Sequence, residues 1–142
     1  MTTSVPPNYA KISDESGKAS MPWILFFQGI SNGDSGESWT PTFESLTEDG
    51  TPTIEGRYYK LSKYIVFFRV TITPATSTTS TAGTTYIDNF PLQFGGDGVC
   101  FAVSGGLGAS PGHIIASTNR VYVPSWTTVT VPLTIIGIGE AQ

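Results

Sequence analysis

One stretch matches a known catalytic pattern: Gly108-Ala109-Ser110-Pro111-Gly112, followed directly by His113, the single histidine among 142 residues. The spacing G-x-S-x-G marks a nucleophile elbow, where a strand delivers the serine to a sharp turn and a helix follows. Pro111 and the strand-like run His113-Ile114-Ile115-Ala116-Ser117-Thr118 oppose that geometry. A histidine three residues along the same tight turn is also badly placed to take the serine proton. The residues Ser104 to Gly112 therefore read as a loop of small side chains whose glycines permit tight turns. Metal chemistry fares no better. One His and one Cys give no zinc ligand set. Asp34, Glu37, Glu48, Asp49, Asp88 and Asp97 are dispersed and lack the alternating spacing of a calcium loop. A carboxylate pair for glycoside hydrolysis assembles in space, so the 11 acidic residues leave that chemistry open. The expectation is a protein that is no enzyme and needs no cofactor or metal.

The aromatic residues are the remaining chemical feature. Tyr58, Tyr59, Tyr64, Phe67, Tyr86, Tyr122 and Trp126 could pave a face that stacks on the apolar side of a sugar. Tyr122 and Trp126 are the candidates for exposed ligand-face aromatics. The competing reading is that such rings fill the core or a subunit interface.

The element that positions these residues runs from Gly56 to Thr73. Its second half, Ile65-Val66-Phe67-Phe68-Arg69-Val70-Thr71-Ile72-Thr73, is rich in β-branched and aromatic residues, as a half-buried strand requires. Arg69, Thr71 and Thr73 fall on one face, and Val66, Phe68, Val70 and Ile72 on the other. Ser62-Lys63 reads as the turn before it. Further strands are expected at about Trp39–Leu46, Thr53–Leu61, Tyr64–Thr73, Thr84–Phe90, Gly98–Ser104, His113–Thr118, Arg120–Val123 and Thr127–Gly137. Turn signals separate them at Glu48-Asp49-Gly50, Gly95-Gly96-Asp97-Gly98 and Asn119. Eight short strands at this spacing predict an all-β, jelly-roll-like antiparallel β-sandwich. The low-complexity stretch Thr73 to Gly83 reads as an exposed loop. The last strand is apolar enough to be covered on both faces, and Pro132 assigns it to an edge or bulge. An apolar edge of that kind needs a second subunit over it. Cys100, alone in Val99-Cys100-Phe101, reads as a small buried apolar residue.

Residues 1–37 differ in character from 38–142, which form the sandwich domain. Pro6-Pro7 favours an extended arm with too little apolar surface to fold alone, so the arm is expected to lie on a partner. Ser20 to Ile30 is the one helix candidate, with Ser20 as cap, Pro22 in the first turn and Gly29 at the end. Trp23, Ile24, Phe26, Phe27 and Ile30 make it apolar on nearly every side, so it must be covered by its own domain or by its copies on a symmetry axis. The net charge of −4, with 7 scattered basic residues, argues against nucleic acid as a partner. Met1-Thr2-Thr3-Ser4 does not open a signal peptide, and no apolar stretch reaches the length of a membrane helix.

Four motifs in order carry a resemblance: Asp14-Glu15-Ser16-Gly17-Lys18-Ala19-Ser20, then Trp39-Thr40-Pro41-Thr42-Phe43, Gly56-Arg57-Tyr58-Tyr59-Lys60, and Asp88-Asn89-Phe90-Pro91-Leu92. Their sequence resembles the C-terminal modules of bacteriophage tail fibres, head fibres and related virion proteins. The resemblance implies a homotrimeric β-sandwich on the outside of a virion, made in the bacterial host cytoplasm, with no catalytic residues. Because no long fibrous shaft precedes the domain, a small capsid decoration or short fibre, held to capsid or tail proteins by its arm, is the expected form. The alternative is a receptor-binding module that recognises a host surface glycan.

Overall fold

The computed structural model describes residues 36–104 and 110–142. The arm, the helix expected over Ser20 to Ile30 with Trp23, Ile24, Phe26, Phe27 and Ile30, and the following linker to residue 35 lie outside the described residues.

The described chain is all-β: β1 (Glu37–Trp39), β2 (Phe43–Glu44), β3 (Thr47–Asp49), β4 (Thr53–Lys60), β5 (Ile65–Thr73), β6 (Ser77–Ser80), β7 (Tyr86–Ile87), β8 (Phe94–Ser104), β9 (Ser110–Ile115), β10 (Arg120–Tyr122), β11 (Trp126–Val129) and β12 (Leu133–Ala141). A single 3₁₀ turn, Ala116–Thr118, precedes β10. Nine strands form one antiparallel sheet in the order β1-β4-β5-β12-β8-β9-β10-β7-β2, and β11-β6-β3 form a second. This is the antiparallel, sandwich-like all-β class that the strand pattern predicts.

The alternation in β5 places its faces as the sequence requires. Val66, Phe68, Val70 and Ile72 are fully buried, while Arg69 and Thr73 are exposed. The β4–β5 turn forms at Ser62-Lys63. It needs no glycine because the Ser62 hydroxyl accepts the backbone N–H groups of Tyr64 and Ile65, both at 3.2 Å.

The two outermost strands of the large sheet, β1 and β2, are joined by only Thr40, Pro41 and Thr42. The sheet therefore curls until its edges approach. Three of the sequence motifs meet at this closure. Trp39 lies opposite Gly56, where a Cβ would sit 2.6 Å from the indole, so only glycine admits the ring. The indole packs edge-on against Tyr58 and Phe90, with centroids 5.8 and 5.2 Å apart. Asn89 braces the connection from the side: its amide donates to Thr40 O at 2.9 Å and its Oδ1 accepts Thr42 N–H at 2.7 Å. Asp88 N–H adds a bond to Thr42 O at 3.1 Å. W-T-P, G-R-Y-Y-K and D-N-F-P are thus parts of one closure.

Six expectations are corrected. The strand expected over Trp39–Leu46 is broken around Pro41 into β1 and β2, and the loop expected from Ser104 to Gly112 gives up Ser104 to β8 and Ser110, Pro111 and Gly112 to β9. The last strand is no edge. β12 lies between β5 and β8 and pairs with both along its length, because Pro132 precedes it and costs the ladder no donor. The Thr73 to Gly83 stretch contains β6, whose Thr78 and Ser80 are buried; hydroxyl bonds such as Ser80 Oγ to Pro124 O at 2.6 Å let a polar strand sit inside. Gly95-Gly96-Asp97-Gly98 runs within β8 as a bulged strand segment. Thr127–Gly137 is two strands, broken where Thr130 takes φ +56° before Pro132. Asn119 does turn the chain, with φ 54°, and its side chain bonds Phe94 N and Leu92 O.

Candidate functional site

Adding the registers of neighbouring strands reveals a row of side chains that no single strand contains. Tyr59 of β4 lies opposite Phe67 of β5, and Phe67 opposite Ile138 of β12. Ile138 lies opposite Val99 of β8, and Val99 opposite His113 of β9. His113 lies opposite Tyr122 of β10, and Tyr122 opposite Tyr86 of β7. Directly opposed residues in a sheet point to the same face. Their chain neighbours Tyr58, Phe68, Cys100, Ile114, Val121 and Ile87 are buried, so the row faces outward. Six inter-strand steps of about 4.8 Å make a belt about 29 Å long.

The belt broadens at β5, β12 and β8. The next row is Arg57, Arg69, Ile136, Phe101 and Pro111, and the one beyond it holds Glu55, Thr71, Thr134 and Val103. On the other side of the belt Ile65 faces Glu140. Ile65, Val99, Phe101, Val103 and Ile138 are each 40–46% exposed. These side chains are neighbours in the registers of three adjacent strands and form one contiguous outward apolar patch.

Where β12 and β8 lose register, between Ile138 and Ala141, the patch borders a groove of about 470 Å³. Tyr64, Ile65, Val99 and Ile138 form its apolar lining, and Asp97 and Glu140 bring two carboxylates. Asp97 Oδ1 accepts Ala116 N–H at 2.9 Å. Tyr64 is 57% exposed, with the Lys63 ammonium 5.2 Å from its ring centroid. Bulges commonly re-aim side chains at functional edges of sheets.

At the other end of the belt the rings pack against one another, one pair stacked and one tilted by 46°. His113 lies parallel to Tyr122 with centroids 5.2 Å apart, and Tyr86 approaches Tyr122 at the same distance. Arg120 caps the ladder, 4.3 Å above Tyr86, and its Nε is 3.3 Å from Asp88 Oδ1. The Tyr122 hydroxyl, then Asp88, holds the guanidinium pKa above its ordinary value.

Of the two aromatics singled out for ligand binding, Tyr122 is half-buried in this ladder. Trp126 is a correction. It is only 8% exposed, its Nε1 donates to Thr78 Oγ1 at 3.2 Å, and Phe43 packs edge-on against it. It is a core residue that spans from β11 toward the large sheet. Tyr58 is buried too; its hydroxyl donates to Glu37, and its pKa is pushed up to about 12 by burial and then by that carboxylate. Cys100 is fully buried, as expected, and burial pushes its thiol up to about 12. Ser110 and His113 both lie in β9; three positions apart on a strand, they point to opposite faces and form no dyad. Among the described residues no group of three or more His, Cys, Asp or Glu is placed to hold a metal ion. No described helix is long and apolar enough to cross a membrane.

Fold and site together define an antiparallel all-β protein with an outward row of exposed apolar side chains. No protein-family model, curated protein or solved structure matches the chain.

Proposed function

We propose that this protein is a structural module that works by assembling with copies of itself on the exterior of a larger particle. The observation that carries this reading is the outward patch on β5, β12 and β8, where five apolar side chains 40–46% exposed sit side by side. Covering them removes apolar surface from water at about 25 cal/mol per Å², which favours association without any ligand. The charged residues Arg69, Glu140 and Asp97 flank the row Phe67–Ile138–Val99, which itself carries no charge. The resemblance of the sequence motifs to phage fibre modules supports a virion as that particle, with capsid or tail proteins as further partners. The test is the native mass of the full-length chain over a hundredfold concentration range, together with labelling of particles by an antibody against it. A monomer throughout, absent from particles, overturns the reading.

A second reading, recognition of a host glycan, is favoured by the Tyr86–Tyr122–His113 ladder with Arg120, which presents rings and a cation at one edge. Against it, His113 and Arg120 already lie over ring faces that a sugar would need. Tyr122→Ala distinguishes the two. Lost adsorption with intact assembly supports recognition, and unchanged adsorption removes it.

A further inference from the structure

The outward face is self-complementary in charge as well as apolar, and this goes deeper into the assembly reading on which it rests. The belt row Phe67–Ile138–Val99 lies midway between two charged rows. On one side, two residues along each strand, stands Arg69 beside Ile136. On the other, again two residues along, stands Glu140 beside Ile65, with Asp97 across the groove. The basic and acidic rows are four residues apart, about 13 Å.

We infer that a second copy of this chain covers this face through a two-fold axis lying along the belt, with Arg69 of each copy entering the Asp97–Glu140 groove of the other. A rotation about that axis turns the second sheet face-down and exchanges the two charged rows. The belt meets the belt, and the partner's Arg69 arrives above Ile65, one inter-strand spacing of about 4.8 Å from Glu140. A guanidinium spans that gap easily. Each contact occurs twice, as an isologous interface demands. The groove is thereby filled by a cation that matches its carboxylates, while Val99, Phe101 and Ile138 lose their exposure. Four strands about 4.8 Å apart and about 27 Å of strand length outline at most about 500 Å² on each copy, since the sheet curls away at its sides. Two copies then bury at most about 1,000 Å², the size of a weak, reversible interface. A two-fold contact of this kind gives an assembly with an even number of copies.

The experiment uses four full-length proteins, native, Arg69→Glu, Glu140→Arg and the double variant, in sedimentation velocity, with circular dichroism to confirm folding. The native mass is expected at an even multiple of 15.1 kDa. Either single swap sets two pairs of like charges against each other and weakens the two-fold association at least about tenfold. The double variant re-forms the 69–140 pair with opposite polarity beside an unchanged Asp97, and associates more tightly than either single swap. Should a swap fail to fold, Val99→Lys puts an ammonium in the middle of the patch and is expected to halve the mass in the same way. An odd number of copies overturns the inference. So does an assembly indifferent to both single swaps and to Val99→Lys, or a double variant that associates no more tightly than either single swap; in these cases the assembly reading itself stands. A monomeric native protein overturns both.

Discussion

Trp126 separates a binding-face reading of the aromatics from a packing one, and its substitution by alanine has a calculable effect. The indole is 8% exposed, so nearly its whole surface leaves water on folding. A buried tryptophan hides about 150–250 Å². At about 25 cal/mol per Å² that corresponds to roughly 4–6 kcal/mol, and partial burial in the unfolded chain lowers it to roughly 3–5 kcal/mol. The lost Nε1–Thr78 bond adds little, because Thr78 Oγ1 keeps Thr128 Oγ1 at 3.1 Å. For a domain of this size, about 3 °C is lost per kcal/mol, so Trp126→Ala should lower Tm by about 10–15 °C. Trp126→Phe keeps most of the apolar area and should cost only about 1–2 kcal/mol. The assay is thermal and urea unfolding at fixed protein concentration, since association would otherwise shift the midpoint. If Trp126→Ala unfolds within about 1 kcal/mol of the native protein, the ring does not support the fold and the packing argument is wrong.

Three further outcomes follow from the core and the closure. Gly137→Ala would set a Cβ 2.1 Å from Cζ of the fully buried Phe68, and should cost about 1–3 kcal/mol; adding Phe68→Leu should recover part of that loss, measured as a double-mutant cycle in urea. Cys100 and Tyr58 have pKa values raised to about 12 in the folded protein, so the native state holds more protons than the unfolded one from about pH 9 upward. The stability they contribute is complete below pH 8 and is lost as pH rises toward 12. Urea midpoints at pH 8, 10 and 11 should therefore fall in that order, and Cys100→Ala should flatten the early part of the decline. Asn89→Ala removes both side-chain bonds that brace Thr40 and Thr42 and should cost about 1–2 kcal/mol. Asn89→Asp, which keeps the acceptor for Thr42 N–H, should cost less, and equal losses in the two variants would refute the bracing role.

The sequence by itself determined the class of fold and the facing of its central strand. In β5 every second residue is apolar, and a period of two admits only one way to bury Val66, Phe68, Val70 and Ile72 together. It also determined that Cys100 would be buried. These are local properties, set by side-chain type, alternation and turn chemistry within a few residues. The place of β12 was not local. Pro132 suggested an edge, yet only the packing of β5 and β8 on either side made the last strand central. β6 was hidden for a related reason. A run of Thr and Ser looks like solvent-exposed chain until partners such as Pro124 O and Thr128 Oγ1 satisfy its hydroxyls inside. Trp126 looked as available as Tyr122, because an indole next to Ser and Thr carries no mark of burial. Above all, the belt exists only in the third dimension. Its seven members come from seven strands scattered between Tyr59 and Ile138, and inter-strand register alone lines them up. The sequence supplied the residues of an exposed apolar face, and the ladder of backbone hydrogen bonds decided that they would stand together.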